Sequence, residues 1–313
     1  MDKKVDRRKF DVPLTTLNIE SFPQGNLEED LGQIIKKLNE SKKGAMALIE
    51  DDIVQGVISE SDFINKVSFE EKDWVKEPCY SIATLEPHTL REDALISDAI
   101  KLLVKKNFRH IPLVDENNKF KSFLSIKDLL AYIIKFFPDQ VEEYGTKTSW
   151  DFKIVDHLAG KLSSNSKKDN FISGNIFLSN LKRLSYQKPL IMDVDDFLWD
   201  AVNLMQRRKR GAIVLTEYET KIKGIFTERD LLFKVLGKIN NNEKYKIRDF
   251  MTKNPHTLLG KHYVAHALNN MFHFNYRTTV IVNEDRFPLS IIGLLDIFKF
   301  VAYDFFDDEI SIR

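Results

Sequence analysis

The chain has 313 residues, 47 Lys+Arg against 47 Asp+Glu, a pI near 7.1 and 43% hydrophobic residues. That length allows about two domains, and the charge balance excludes a global pull toward nucleic acid or anionic lipid. A single cysteine, Cys79, excludes an internal disulfide framework and fits a reducing, cytoplasmic setting.

Taken in chain order, the basic stretch Met1–Lys9 has no apolar core and reads as a solvated tail, not a secretory signal. Lys43-Gly44-Ala45-Met46-Ala47-Leu48 starts a short apolar run, and Gly56-Val57-Ile58-Ser59-Glu60-Ser61-Asp62 follows it. Pro87-His88-Thr89-Leu90 leads into an amphipathic helix with Ala94, Ile96, Ala99, Ile100, Leu102, Leu103 and Val104 on its apolar face. Strands are predicted at Ile111–Val114 and Phe120–Leu124, around a turn at Asp115-Glu116-Asn117-Asn118. Ser125 then opens a second helix through Leu129, Leu130, Tyr132, Ile133 and Ile134. The polar stretch 138–180 reads as a connector. The apolar runs 129–137 and 290–306 are too short or too charged to span a bilayer.

Beyond the connector the plan returns. Pro255-His256-Thr257-Leu258 repeats the word at 87–90 with an offset of 168 residues. The same offset joins Ala99 to Ala267, Arg109 to Arg277, and Gly56–Asp62 to Gly224-Ile225-Phe226-Thr227-Glu228-Arg229-Asp230. Arg210-Gly211-Ala212-Ile213-Val214-Leu215 matches the run at Lys43 one residue out of step, a slip that a hairpin loop absorbs. The chain is therefore two similar halves of two units each. Units this small bury too little alone and should pack in pairs.

The pattern resembles the cystathionine-β-synthase (CBS) domain, a β-α-β-β-α unit that associates in pairs called Bateman modules. A basic residue before the first strand and a glycine–hydroxyl–carboxylate run at the last helix carry the resemblance; Ile247-Arg248-Asp249-Phe250-Met251-Thr252-Lys253-Asn254-Pro255 looks like a typical opening of such a domain. It implies an α/β (α+β) fold of tandem CBS repeats, with two modules packed as a disc. The modules are expected at 10–138 (repeats about 10–67 and 76–138) and 174–306 (174–238 and 246–306), with 139–173 as linker. It also implies a non-enzymatic regulatory protein that binds an adenosine nucleotide (AMP, ADP or ATP) and signals occupancy to a partner protein. Pairing would be within one chain or as a homodimer. Neither membrane nor nucleic acid is expected as a partner, and no metal or catalytic cofactor is expected.

The chemistry can be argued beside the resemblance. A carboxylate has only acceptors and can take both donors of a ribose diol. A hydroxyl at a helix start suits a phosphate, and a nearby Arg or Lys adds a charge-assisted bond. On this basis the nucleotide-binding candidates are Gly224, Thr227, Arg229 and Asp230 with Arg210 and Arg277; Gly56, Ser59 and Asp62 with Lys43, Arg109 and His110; and Ser125 with Asp128, where Ser122 replaces the glycine. The Thr227–Asp230 run ranks first. Arg109 and His110 are expected to serve the Asp62 site and Arg277 the Asp230 site. In the fourth unit, Gly293-Leu294-Leu295-Asp296-Ile297-Phe298-Lys299 sets Asp296 at the phosphate position and Lys299 at the ribose position, so that site should be empty or altered.

Each run also reads as a helix capping box that needs no ligand. A ligand-free interaction module and a polyanion or nucleic-acid binder therefore stand beside the nucleotide reading. His262, His266 and His273 read as a solvated face rather than a metal site. Phe136-Phe137 and Phe305-Phe306 read as core or inter-module contacts.

Overall fold

The computed structural model describes residues 4–69, 73–138, 141, 171–184, 187–217, 221–239 and 244–310. Most of the predicted connector lies outside the described residues.

A short N-terminal strand, β1 (Lys4–Asp6), precedes the first unit. Unit one then runs β2 (Gln24–Gly25), α1 (Leu31–Ser41), β3 (Ala45–Glu50), β4 (Ile53–Ser59) and α2 (Glu60–Lys66). In α1, Leu31, Ile34, Ile35 and Leu38 recur at helical spacing and are all buried. Asp30 and Gln33 cap its start reciprocally, at 2.7 and 3.1 Å. Lys42, in the left-handed conformation (φ 56°), ends it. β5 (Thr84–Leu85) completes a four-stranded sheet, β2-β3-β4-β5.

Unit two follows with β6 (Leu90–Arg91), α3 (Ile96–Lys106), β7 (His110–Val114), β8 (Phe120–Ser125) and α4 (Ile126–Ile134); β7, β8 and α4 lie within a residue of the predicted spans and α3 within two. The Asp115 carboxylate accepts the Asn117 and Lys119 N–H groups, both at 2.9 Å, and so fixes the hairpin turn. Unit three comprises β10 (Leu190–Asp193), α5 (Leu198–Arg208), β11 (Ala212–Glu217), β12 (Lys221–Thr227) and α6 (Glu228–Asp230), which continues as a π-helical turn, Leu231–Val235. Between units two and three lies β9 (Phe171–Ser173). β13 (Thr252–Lys253) completes unit three's sheet. Unit four is β14 (Thr257–Leu259), α7 (Val264–His273), β15 (Thr278–Val282), β16 (Pro288–Gly293) and α8 (Leu294–Ile310).

In every unit the first strand pairs parallel with the second, which pairs antiparallel with the third. The shared word has a structural role. His88 contacts Phe108 at a ring separation of 5.9 Å, and His256 contacts Tyr276, equally twenty residues on, at 6.1 Å. His256 also stacks on Phe274 at 4.2 Å.

The helices decide how the units assemble. One core joins unit one to unit three through Leu31, Ile34, Phe63, Leu198, Val202 and Leu231. A second joins unit two to unit four through Ile100, Leu103, Leu129, Leu268, Phe298 and Val301. Each such side chain contributes about 1.5–3 kcal/mol on burial. Strand faces of units three and four meet in a third, smaller core of Ala212, Val214, Ile225, Val280 and Val282. As expected, the aromatic pairs ending the second helices of units two and four meet, with the Phe137 and Phe305 rings 5.9 Å apart.

The N-terminal stretch is not a solvated tail. β1 pairs antiparallel with β9, Val5 is buried, and the Arg7 guanidinium lies 4.9 Å from the centroid of the Phe306 ring. An apolar residue among the charges and a strand partner far along the chain outweigh the basic composition.

Candidate functional site

The three hydroxyl–carboxylate runs fall at one register position. Ser59, Ser125 and Thr227 end the third strands, opposite Ala45, His110 and Ala212. Each carboxylate folds back on its helix start. Asp62 Oδ2 accepts the Ser59 N–H and hydroxyl at 2.8 and 2.7 Å. Asp128 Oδ2 does the same for Ser125 at 2.9 and 2.5 Å, and Asp230 Oδ2 for Thr227 at 2.9 and 2.7 Å. Capping is thus present in all three, and it leaves the second oxygen of each carboxylate to decide what else can bind.

Those second oxygens differ. Asp62 Oδ1 pairs with Lys66 at 2.9 Å. Asp230 Oδ1 accepts the Thr252 hydroxyl at 2.9 Å and pairs with Lys234 at 2.6 Å. Asp128 Oδ1 has no hydrogen-bond or ion-pair partner among the described residues, so Asp128 carries the least encumbered carboxylate of the three.

The glycines have a packing reason. Gly56 lies opposite Leu85, and Gly224 opposite Lys253, where β5 and β13 dock on the sheets. A Cβ at Gly224 would collide with the Met251 sulfur and stand 3.1 Å from the Thr252 carbonyl. Among the described residues units two and four have no docked fourth strand, and Ser122 and Ser290 occupy the matching positions.

That register corrects the reading of unit four. Gly293 lies opposite Thr278, where the other units carry their hydroxyl residue, and its N–H donates to Asp296 Oδ2 at 2.7 Å. Asp296 therefore matches Asp62, Asp128 and Asp230; the hydroxyl is lost and the carboxylate kept. The 168-residue offset applied to Ser125 and Asp128 gives this alignment, whereas aligning by glycine hides it.

The basic residues converge where the two halves meet, but not on the expected carboxylates. Arg109, from unit two, donates to Glu228 of unit three at 2.8 Å. Arg277, from unit four, donates to Glu60 of unit one at 3.3 Å, and Arg229 of unit three reaches the other Glu60 oxygen at 2.9 Å. In these pairs each strand-start arginine reaches across to the other half. Repeat spacing does not encode which unit stacks on which. Glu60 and Glu228, at the first helical positions of α2 and α6, were missed. Their signal was the pairing of each with a glycine at the strand start. Gly44 and Gly211 leave room for these side chains, and a Cβ at Gly211 would stand 2.8 Å from Glu228 Oε1.

Burial opposes the Arg109 charge, yet Glu228 and Glu60 hold its pKa above the usual arginine value; at Arg277 burial prevails and the pKa falls below it. Burial first, then Arg277, Arg109 and Lys43, hold His110 well below the usual imidazole value, so it is neutral near pH 7. Lys43 pairs with Glu20. Arg210 has no side-chain partner among the described residues.

His262 and His266 are not solvated. His262 is buried, its Nδ1 accepts the Leu259 N–H at 3.1 Å, and His266 Nδ1 accepts the Tyr263 N–H at 3.1 Å. His266 caps the start of α7 and His262 closes the turn after β14, both as neutral acceptors. No cluster of three or more His, Cys, Asp or Glu side chains able to hold a metal occurs among the described residues, and no described helix is long and apolar enough to cross a membrane. Surface hollows of about 340 and 350 Å³ are lined by Gly237, Lys238, Ile239 and Tyr245, and by Thr15, Arg91 and Lys121 with neighbouring acidic residues. Neither includes a hydroxyl–carboxylate run.

Four β-α-β-β-α units, with hydroxyl–carboxylate caps at the ends of three third strands, define a tandem α/β repeat protein. The family model for the CBS domain matches residues 79–135 and 182–237, so units two and three are CBS domains. It is 20% identical over 269 residues to the CBS domain-containing protein CBSCBSPB1 of Arabidopsis thaliana, covering 84% of this chain and 48% of that one. It is 26% identical over 205 residues to an uncharacterized 33.4 kDa protein in the ribosomal RNA operon of Thermofilum pendens, covering 65% and 58%. Against the Arabidopsis relatives the chain spans about half their length. Protein MJ1225 of Methanocaldococcus jannaschii, whose description proposes it as an archaeal homolog of g-AMPK, shares the fold with a TM-score of 0.69 at 17% identity, covering 92% of this chain and 99% of that one.

Proposed function

We propose that this chain is a regulatory protein that binds an adenosine nucleotide of the AMP, ADP or ATP class between paired units and passes occupancy to a partner protein. The units would form two modules, about 10–138 and 174–306. The observation that carries the reading is the repeated register: three carboxylates, each beside a helix-start hydroxyl, with Lys43, Arg109, His110, Arg210, Arg229 and Arg277 on the strand starts and first helical turns nearby. Hydroxyl and backbone N–H groups suit phosphate, the second carboxylate oxygen suits a ribose diol, and cations balance the charge. The similarity to MJ1225 gives the architecture a precedent.

The three sites would differ in effort. At Asp128 the second carboxylate oxygen has no side-chain partner among the described residues for a diol to replace. At Asp62 the diol must displace Lys66, and at Asp230 both Thr252 and Lys234. A bound nucleotide that recruits Arg277 or Arg229 would take it from Glu60 and so bias the contact between the halves. The work would be binding, not catalysis, by a protein with no membrane-crossing helix among its described residues.

Isothermal titration of AMP, ADP and ATP into wild type and the Asp62→Ala, Asp128→Ala and Asp230→Ala variants tests this. At least one substitution should abolish a binding step. Binding untouched by all three would remove these sites. No heat and no thermal shift with any nucleotide would leave a ligand-free interaction module.

A further inference from the structure

Residues 17–23 cross from unit two, where the preceding turn at Leu14 is held by the Ala94 carbonyl (2.8 Å), to β2 of unit one. This strap lies against β8, the strand whose last residue, Ser125, caps the helix that carries Asp128. The Ser122 hydroxyl, three residues before Ser125, donates to the Glu20 carbonyl at 3.2 Å. The Glu20 carboxylate pairs with Lys43, the strand-start cation of unit one, and that contact, with Lys127 adding to it, lowers the Glu20 pKa. The Phe22 ring packs 5.2 Å from Phe123 and 6.0 Å from His110, with the Lys43 ammonium 4.8 Å above it. An aromatic ring and an anion thus sit together on one cation, one imidazole and one ring.

The second half supplies an internal control. Ser290 donates to the Gln187 carbonyl at 3.1 Å, the same contact in the same register. Counting from the β10 and β2 pairings, Gln187 stands where Glu20 does and Pro189 where Phe22 does. The backbone contact is kept, while the carboxylate and the ring are missing. Correspondingly Arg210, the match of Lys43, has no side-chain partner among the described residues. At these two positions the acidic and aromatic groups belong to the first half alone, and the backbone contact is made without them.

We propose that residues 17–23 are a built-in occupant of the Asp128 site, in which Glu20 and Phe22 hold the groups that a phosphorylated aromatic ligand would use. Such a ligand binds there only by displacing the strap, and the displacement is itself a signal, because the strap leads directly into β2. This inference rests on the nucleotide reading above.

AMP titration of the full chain, wild type against Glu20→Gln/Phe22→Ala, tests it, with hydrogen–deuterium exchange of a peptide spanning 17–23. Removing a competing internal contact raises apparent affinity by the fraction of sites it freed, and about tenfold is expected. Adding Asp128→Asn should cancel the gain, and AMP should speed exchange of the 17–23 peptide in wild type. Glu20→Gln alone, at an exposed side chain, should give part of the gain and guards against misfolding of the double variant. If wild type binds AMP and neither variant binds tighter, the strap proposal falls and the nucleotide reading stands. If neither protein binds any adenosine nucleotide, the nucleotide reading falls, and the occupant has no ligand to exclude.

Discussion

Glu60 of unit one is clasped by two arginines of the opposite half, Arg229 on Oε1 at 2.9 Å and Arg277 on Oε2 at 3.3 Å, with its own side chain only 4% exposed. Both guanidiniums are about a third exposed, so water screens them while the carboxylate is not screened. Glu60→Ala would leave two like charges facing each other, and should cost roughly 2–4 kcal/mol in urea unfolding. Arg277→Ala should cost less, because Arg229 still satisfies Glu60. A double-mutant cycle between positions 60 and 277 should return a coupling of about 1 kcal/mol. A coupling near zero would mean that this pair does not hold the halves together.

The space for Glu60 comes from Gly44. A Cβ there would collide with the Glu60 carboxyl group, whereas at Gly211 the equivalent Cβ would stand 2.8 Å from Glu228. Gly44→Ala should therefore push Glu60 off its arginines and destabilise by about 1–3 kcal/mol, and Gly211→Ala should do so less. Combining Gly44→Ala with Glu60→Ala tests the cause. The pair should cost little more than Glu60→Ala alone, and full additivity would place the damage elsewhere.

The units, their strands and the pairing of aromatic helix ends were legible because each depends on local patterning: α3 and β7 recur at helical and strand periods. The stacking of unit one on unit three was not, since nothing in a repeat's spacing selects its partner across the interface. Hence the carboxylates that Arg109 and Arg277 pair with, Glu228 and Glu60, cannot be read from the repeat. Unit four was misaligned because glycine was taken as the fixed point of the run. The structure shows why that fails: glycine is needed only where β5 or β13 docks, and Ser122 and Ser290 replace it where neither does. His262 and His266 were misread for a related reason. Their counterparts at 94 and 98 are Ala and Asp, and the segments that cover the position are remote in sequence: the Leu181 N–H donates to the His262 carbonyl at 2.7 Å, as the Leu14 N–H does to Ala94 at 2.8 Å.

Thr227 makes both halves of a capping box, its hydroxyl accepting the Asp230 N–H at 3.2 Å and its own N–H donating to Asp230 Oδ2 at 2.9 Å. Thr227→Ala should lower stability by about 1 kcal/mol whether or not a ligand binds. Thr227→Ser keeps the oxygen and should be close to neutral. Chemical denaturation without nucleotide measures the cap by itself. Any larger loss in the presence of nucleotide then belongs to the ligand.

Burial, with His266 and Lys261 adding to it, pushes the His262 pKa down to about 3, and burial also lowers His266. Both accept backbone N–H groups, His262 at the end of β14 and His266 at the start of α7, a role that only an unprotonated nitrogen can fill. The folded pKa lies below the unfolded one, so the unfolded chain binds protons more readily. The stabilisation is complete above the unfolded value, about 6.5, and is lost as pH falls from there toward 3. Thermal unfolding between pH 7 and pH 4 should show this as a falling Tm, with about one proton taken up per buried histidine on unfolding near pH 5. His262→Asn removes one titrating group and offers a side-chain oxygen to the Leu259 N–H. It should be less stable than wild type at pH 7 and lose less on acidification. Parallel pH profiles for the two proteins would show that His262 does not set the acid limit of the fold.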